Sequence, residues 1–379
     1  MARRGHGEGT IYHRNDGRWV AQISLPNGKR KALYGKTRQE ANTKRIKALR
    51  DLEQGVFAAD DRQTVMQYLA AWMETMRPPR LVEEVWRDYD ALIRLHILPD
   101  IGRVRLSQLS PQRVQALYAT CAAKGLSARR VRAVHSILHF ALKRAVRIGI
   151  VPRNVADMVD APAVRRFDIH PLSREQARRY LEEAQTERLS ALFTLALATG
   201  LRLGELTALR WSEVDLNQRK IRVVATLKWR GTVGSDAGRA PVWTEPKTRA
   251  SRRQITIAAP VAEALRQHRQ VQRLERLAVG PVWEEHDVVF SDEIGRPLTH
   301  DAVRWRHTRI LKRAGLPTIR FHDLRHTAAT LLLGQNVNPK VVSEMLGHSN
   351  ITITLNIYAH VLPDMLEDAA TAIAVALGW

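Results

Sequence analysis

With one cysteine, Cys121, the chain can close no internal disulfide and build no cysteine-rich metal site. Cys121 recurs at helical spacing with Val114, Leu117 and Tyr118, so it reads as a small core residue. Long apolar runs are missing too: no segment approaches the roughly 20 residues that a membrane-spanning helix needs. The opening MARRGHGEGT lacks the apolar stretch of a secretory signal, which points to the cytoplasm. Acidic residues are scarce against basic ones, 38 Asp and Glu to 60 Lys and Arg, and the formal net charge is +22. That excess predicts a polyanionic partner, nucleic acid first. An anionic membrane surface is the alternative, but the basic residues are spread along the whole chain.

At 379 residues the chain exceeds one compact core and suits two or three domains. Residues 1–60 carry 13 Lys and Arg against 6 Asp and Glu, a net of +7. TIYHR, RWVAQISL and KRKALYG read as three short strands, with turns at Asn15-Asp16-Gly17 and Pro26-Asn27-Gly28 and a helix from about Arg38 to Leu52. So small a sheet can present an open face to a DNA groove; a basic capping subdomain is the plainer reading.

From Thr64 to about Pro162 the apolar period becomes helical through four segments, with starts signalled by Ser110-Pro111 and Ser127 and ends by Gly125 and Gly149. Arg129, Arg130, Arg132, Lys143, Arg144 and Arg147 gather in the last of these helices. They suit phosphate contacts that position DNA without reading it, although a charge run also suits a solvated face. His135 and His139 stand four apart, a metal-pair spacing that lacks a third ligand. The aperiodic VPRNVADMVDAPAVRRFD, residues 151–168, reads as an interdomain linker.

Beyond it, Ser173 caps a first helix, and an apolar helix over Leu189 to Ala198 ends near Gly200, presenting Arg202 beside the core. Glu205 follows on the next helix and is expected to hold the Arg202 guanidinium by a bidentate pair. Arg210 reads as surface charge, and Asp215 as a cap or brace. IRVVATL and RQITI read as strands, and KWRGTVGSDAGRAPVWTEP between them as a glycine-rich loop longer than an ordinary hairpin turn. Lys247 in PKTRAS is by itself a solvated charge, and Arg249, Arg252 and Arg253 compete for any role it has.

Residues 321–358, FHDLRHTAATLLLGQNVNPKVVSEMLGHSNITITLNIY, concentrate phosphate-compatible groups. His322 and Arg325, three apart at the start of an apolar-periodic run, fall on one helical face and can converge on one anion. A second short helix ends at Gly347, a left-handed cap that sets His348 at a fixed corner. Tyr358 follows an alternating apolar run. Its phenol is a poor nucleophile unless cations or a base assist it, and two arginines and two imidazoles meet that need. As a plainer reading Tyr358 is core, and His322, Asp323, His326, His348 and His360 admit a metallonuclease site.

The order of motifs, Arg202 with Glu205 in ATGLRLGELTALRWSEVDL, Lys247, His322-x-x-Arg325, Leu346-Gly347-His348 and Tyr358, resembles the tyrosine recombinase (phage integrase) family, with LGHSNITITLNIYAH matching almost as a block. The resemblance implies an α+β multidomain protein. Residues 1–60 would be an arm-type DNA-binding domain, 63–162 a helical core-binding domain, and 168–379 a mainly α catalytic domain with a small β-sheet and a C-terminal tail. It further implies that Tyr358 attacks the scissile phosphate to give a 3′-phosphotyrosine and that Lys247 protonates the departing 5′ oxygen. His322 would assist the phenol or orient the phosphate, and His348 would donate to a phosphate oxygen. Arg202 and Arg325 would stabilise the charge that grows on the nonbridging oxygens, so that neither a metal nor another cofactor is required.

The implied partners are double-stranded attachment-site DNA and three further copies in a homotetramer, with an excisionase and a host DNA-bending protein as helpers. The setting would be the nucleoid of a bacterial host. Within the family a chromosome-dimer resolvase or a transposon-borne enzyme is the alternative to the integrase of a phage or integrative element, which the N-terminal sheet favours. A type IB topoisomerase shares the chemistry but needs no such sheet. A catalytically dead regulator would have lost one of the motifs.

Overall fold

The computed structural model describes residues 9–24, 30–53, 62–164, 170–230, 240–245, 252–348, 350–358, 371 and 373–378. Two compact units emerge, Met1–Arg166 and Phe167–Trp379. No helix among the described residues is long and apolar enough to cross a membrane.

The first unit opens with an antiparallel sheet of β1 (Thr10–His13), β2 (Trp19–Ser24) and β3 (Arg30–Gly35), followed by helix α1 (Arg38–Glu53). The register pairs Tyr12 with Val20 and Val20 with Tyr34, so these three form one cross-strand row. Val20, Ala21 and Ile23 are buried, while both tyrosines are exposed.

The predicted helical module is present as α2 (Val65–Thr75), α3 (Glu83–Leu92), α4 (Leu98–Ile101), α5 (Pro111–Ala123) and α6 (Ala128–Arg147), with a π-helical stretch Ile93–Ile97 between α3 and α4. Thr64 and Gln67 close a capping box at the start of α2, and Ser110 and Ser127 cap α5 and α6. Leu69, Ile97, Leu117, Cys121, Ile137 and Leu138 form the centre of the core. His135 Nδ1 lies 2.9 Å from the Tyr118 hydroxyl, and His139 Nε2 lies 2.9 Å from an Asp157 oxygen. The histidine pair is thus tied into the fold by local partners. The first half of the expected linker is not free chain: Val151, Val155 and Ala156 are buried in this core, and Asn154 caps a 3-10 turn over Val155–Met158. A 3-10 turn has neither the helical nor the strand period, which is why the segment shows no periodicity.

The second unit begins with α7 (Arg174–Ala184), whose Ser173 and Gln176 form the expected capping box. Next come α8 (Ser190–Thr199), which is apolar nearly all round and therefore buried, and the short α9 (Leu203–Ala208). A three-stranded antiparallel sheet, in the order β4-β5-β8, uses β4 (Val214–Asp215), β5 (Lys220–Val223) and β8 (Arg253–Thr256).

Between β5 and β8 the expectation of one long loop is corrected. Thr226–Arg230 (β6) and Ala240–Thr244 (β7) pair as a hairpin, with Leu227 opposite Trp243. The glycines of that stretch hid the pairing, because they suggest a loop while the pairing residues flank them. The helices α10 (Ala259–Val279), α11 (His300–Arg313), α12 (Asp323–Leu333), α13 (Pro339–Leu346) and α14 (Ile351–Tyr358) complete the unit around Tyr180, Phe193, Leu265, Phe290, Ile310 and Leu324. The alternation Ile351-Thr352-Ile353-Thr354 has the period of a strand but forms the start of α14, where Asn350 Oδ1 accepts from the Thr352 amide at 2.9 Å.

Candidate active site

Two left-handed glycines set the site's geometry. Gly200, at φ 63°, ends α8, and Gly347, at φ 70°, ends α13. The first sends the chain through Arg202 into α9; the second turns it to His348, whose amide donates to Ser343 O at 3.0 Å. The corners meet on α12: the Gly200 carbonyl accepts from Arg325 Nη1 at 2.8 Å, and Arg325 is buried. Arg202 Nη2 donates to the Gly347 carbonyl at 3.2 Å.

Glu205, 3% exposed, is the anionic centre. Its carboxylate accepts from Arg202 Nη1 at 2.8 Å and from the Arg202 amide at 3.0 Å. Its two-pronged partner, however, is Arg253 at the start of β8, with Nη1 at 3.3 Å and Nη2 at 3.0 Å. The expected bidentate pair with Arg202 is therefore corrected: Arg202 makes one guanidinium contact with Glu205 and keeps 37% of its side chain exposed. Burial pushes the Glu205 carboxyl up, but Arg253 and then Arg202 outweigh it and hold it below the usual carboxylate range.

The imidazoles lie in the field of these cations. His348 is held near pKa 4, first by burial and then by the Arg325 and Arg202 charges. Its Nδ1 is 2.8 Å from Thr354 Oγ1 on α14. His322, at the N-terminus of α12, is also lowered, by the protein around it and then chiefly by Arg325, although its ring keeps solvent access. His326 packs edge-on against His322, with ring centroids 5.2 Å apart, and is lowered to about 4 by burial and the His322 charge.

The structure thus brings Arg202, Glu205, His322, Arg325 and His348 together. Tyr358 closes α14, one turn beyond Thr354. Lys247 lies outside the described residues. Asp215 is not in this cluster: its Oδ1 accepts from the Asn217 and Gln218 amides at 3.0 and 2.8 Å and braces the β4–β5 turn. Arg210 is exposed, as a surface charge, with its guanidinium over the Trp243 ring at 5.1 Å. Asp323 is committed to Arg320 through both carboxylate oxygens. Among the described residues no group of three or more His, Cys, Asp or Glu has a metal-binding arrangement.

On α6, Arg129, Arg130, Arg132, Lys143 and Arg144 are exposed. Arg129, Arg132, Phe140, Lys143 and Arg147 fall on one helical stripe, while Arg130 and Arg144 lie to its side. Two residues at the site escape sequence reasoning. Thr354 looks like one member of a β-branched run, and Arg253 like one basic residue among several; a strand-opening arginine before an apolar alternation was the available signal.

Comparison with known proteins identifies the surroundings of this cluster. The model described as the phage integrase family matches residues 171–365, and one described as the phage integrase N-terminal SAM-like domain matches residues 64–120. An integrase of Streptomyces ambofaciens is 33% identical over 97% of this chain and 96% of its own length. A tyrosine recombinase XerC-like protein of Caldanaerobacter subterraneus subsp. tengcongensis is 32% identical over 90% and 91%. Among solved structures, the Tn1549 transposon integrase in complex with transposon right end DNA covers 84% of this chain and 100% of its own, with a TM-score of 0.66 and 24% identity. A lambda integrase tetramer bound to a Holliday junction covers 94% and 96%, with a TM-score of 0.57 and 19% identity.

Proposed function

The chain belongs to the phage integrase family and is a site-specific DNA recombinase that cleaves and rejoins strands; on that premise we propose that Tyr358 is its nucleophile and that the Arg202, Arg325, His322 and His348 cluster is its strand-transfer centre. The observation that carries this reading is the convergence of two guanidiniums and two neutral imidazoles on the corner from which α14 leads to Tyr358.

A phosphodiester entering this cluster brings its nonbridging oxygens to Arg202 and Arg325. Both stay protonated and supply directed hydrogen bonds where transition-state charge grows. In this proposal Thr354 Oγ1, 2.8 Å from Nδ1 of His348, donates to it, so that Nε2 carries the ring proton and donates to a phosphate oxygen. Neutral His322 takes the phenol proton as the Tyr358 oxygen bonds to phosphorus. The bond to the 5′ oxygen breaks, and Lys247 supplies that oxygen with a proton. One phosphodiester is exchanged for a phosphotyrosine, so bond energy is retained and reversal by a 5′ hydroxyl of another duplex gives recombination.

Residues 1–60 form the arm-binding module and α6 grips the backbone of the core site in this proposal, since a basic stripe contacts phosphates without base readout. The partner is duplex attachment-site DNA, and the working assembly is a tetramer on two paired sites; the similar lambda integrase was solved as a tetramer bound to a Holliday junction. An excisionase and a bending protein bias direction, and the reaction runs in the cytoplasm of a bacterial host carrying the element. The test is Tyr358→Phe, which removes only the nucleophilic oxygen. Site binding should stay within about twofold while the denaturation-resistant DNA adduct disappears; an adduct formed by the Phe variant would exclude Tyr358.

A further inference from the structure

Resting on that reading of Arg202 and His348, we propose that Arg253 is a positioning residue for strand transfer, holding the Arg202 guanidinium and the His348 corner in register without touching the phosphate.

Arg253 has 7% of its side chain exposed, and its guanidinium reaches both Glu205 and the end of α13. Nη1 and Nη2 bind both oxygens of Glu205, at 3.3 and 3.0 Å. Nε donates at 2.6 Å to the carbonyl of Met345, in the last turn of α13. Two residues on, the Gly347 carbonyl receives Arg202 Nη2, and Arg202 Nη1 returns to Glu205. The circuit Arg202, Glu205, Arg253, Met345, Gly347, Arg202 is closed. It joins three elements far apart in sequence: α9, β8 and the C-terminal end of α13. A cation is favoured at that helix end, where the carbonyl dipoles point.

Each link has a consequence for geometry. Glu205 is buried and ionised, so it needs more donors than one exposed arginine supplies. With Arg253 occupying the fork, Arg202 is left to pair through a single Nη and to keep a solvent-facing edge for an incoming phosphate. Without Arg253, Glu205 would draw Arg202 inward as its own two-pronged partner, which takes donors away from the phosphate. The end of α13 would also lose the donor on Met345, and His348 follows Met345 by three residues. Lysine cannot substitute: one ammonium on a flexible stem does not span a carboxylate and a carbonyl as a planar fork does. Arg253 is thereby also removed from competition for general acid, since a guanidinium does not release its proton in this range.

The experiment compares wild type with Arg253→Gln and Arg253→Lys in the full-length chain, using single-turnover cleavage and equilibrium binding on one duplex half-site. Two duplexes are used, one natural and one carrying a neutral methylphosphonate at the scissile position, where less anionic charge needs guanidinium stabilisation. Both variants should bind DNA within about threefold of wild type and cleave the natural duplex about 100-fold more slowly, a loss of the size seen when one preorganised donor is removed. On the methylphosphonate the gap should contract to within about fivefold. A gap of equal size on both duplexes would show a merely structural role and overturn the inference. Natural-duplex cleavage at the wild-type rate by Arg253→Lys would do the same, even if Arg253→Gln fails to fold. Arg202→Ala, run in parallel, should show the same contraction; if it does not, the Arg202 assignment itself falls, which is a separate failure from that of Arg253.

Discussion

The charge state of single imidazoles governs how this protein responds to acid. His307, His326 and His348 are each held near pKa 4, well below the ordinary 6.5, because burial penalises the imidazolium before any neighbour acts. His307 shows the logic most simply: it is 2% exposed, its Nδ1 is 2.9 Å from the Tyr180 hydroxyl and its Nε2 donates to the Ile319 carbonyl at 3.0 Å. Those partners suit the neutral ring. Between pH 6.5 and 4 the unfolded chain binds protons that the native chain refuses, so stability rises with pH across that window and is lost as pH falls through it. The melting temperature should therefore drop as pH is lowered from 6.5 toward 4. Replacing His307 by Gln should shallow that dependence by up to about 3 kcal/mol across the window, since a tenfold difference in proton affinity between the folded and unfolded chain is worth about 1.4 kcal/mol. Thermal unfolding of both proteins at several pH values decides it; identical slopes would mean His307 protonates freely in the native state.

At the scale of elements, the active site is a set of helix ends locked by close backbone approach. Gly200 closes α8 at φ 63°, and a Cβ there would overlap Leu346 Cδ2 and meet Arg325 Cγ at 3.4 Å. Its carbonyl also receives Arg325. Gly200→Ala should therefore cost about 2–3 kcal/mol, from about 1–2 for the left-handed backbone plus overpacking against α13. Cleavage should fall at least tenfold, because Arg325 and the α13 corner move together. Gly125, at φ 81° with nothing within 4 Å of an added Cβ, is the control. Its alanine variant should lose only the backbone part, about 1–2 kcal/mol, and cleave normally. Calorimetry and single-turnover cleavage of the two variants test this, and an active Gly200→Ala would show that the corner is not rigid.

For the molecule as a whole, the proposed tetramer gives the tail a role in coupling one subunit's nucleophile to assembly. Residues 373–377 are helical, with Ile373, Val375 and Leu377 exposed, so apolar side chains stand in solvent in the single chain. A neighbouring copy on DNA would cover them in a head-to-tail contact, which closes into a ring when the rotation allows. Removing residues 364–379 should leave binding to one site within about twofold, yet reduce four-subunit complexes on paired sites at least tenfold and unbalance which strands are cut. Native gels with one and two sites report the first two quantities. Normal tetramers from the truncated chain would place the contact elsewhere.

What the sequence determined by itself was chemistry in linear order. Side-chain type fixes charge, reactivity and capping, so the polyanionic partner, the helical module with its Ser starts, and the motif series from Arg202 to Tyr358 were legible. Local spacing sufficed for His322 and Arg325 because a helix converts a separation of three into one face. Tertiary structure decided which charge meets which. Glu205 chose Arg253 over Arg202 for its fork, a pairing across 48 positions that no local period encodes. The glycine-rich loop became part of a hairpin because Leu227 and Trp243 pair across it. The ITIT run became helix although its period is that of a strand, with Asn350 capping its start and Thr354 bound to His348. Such choices depend on three-dimensional proximity and on the cost of burying an unpaired charge, and neither quantity exists until distant segments meet.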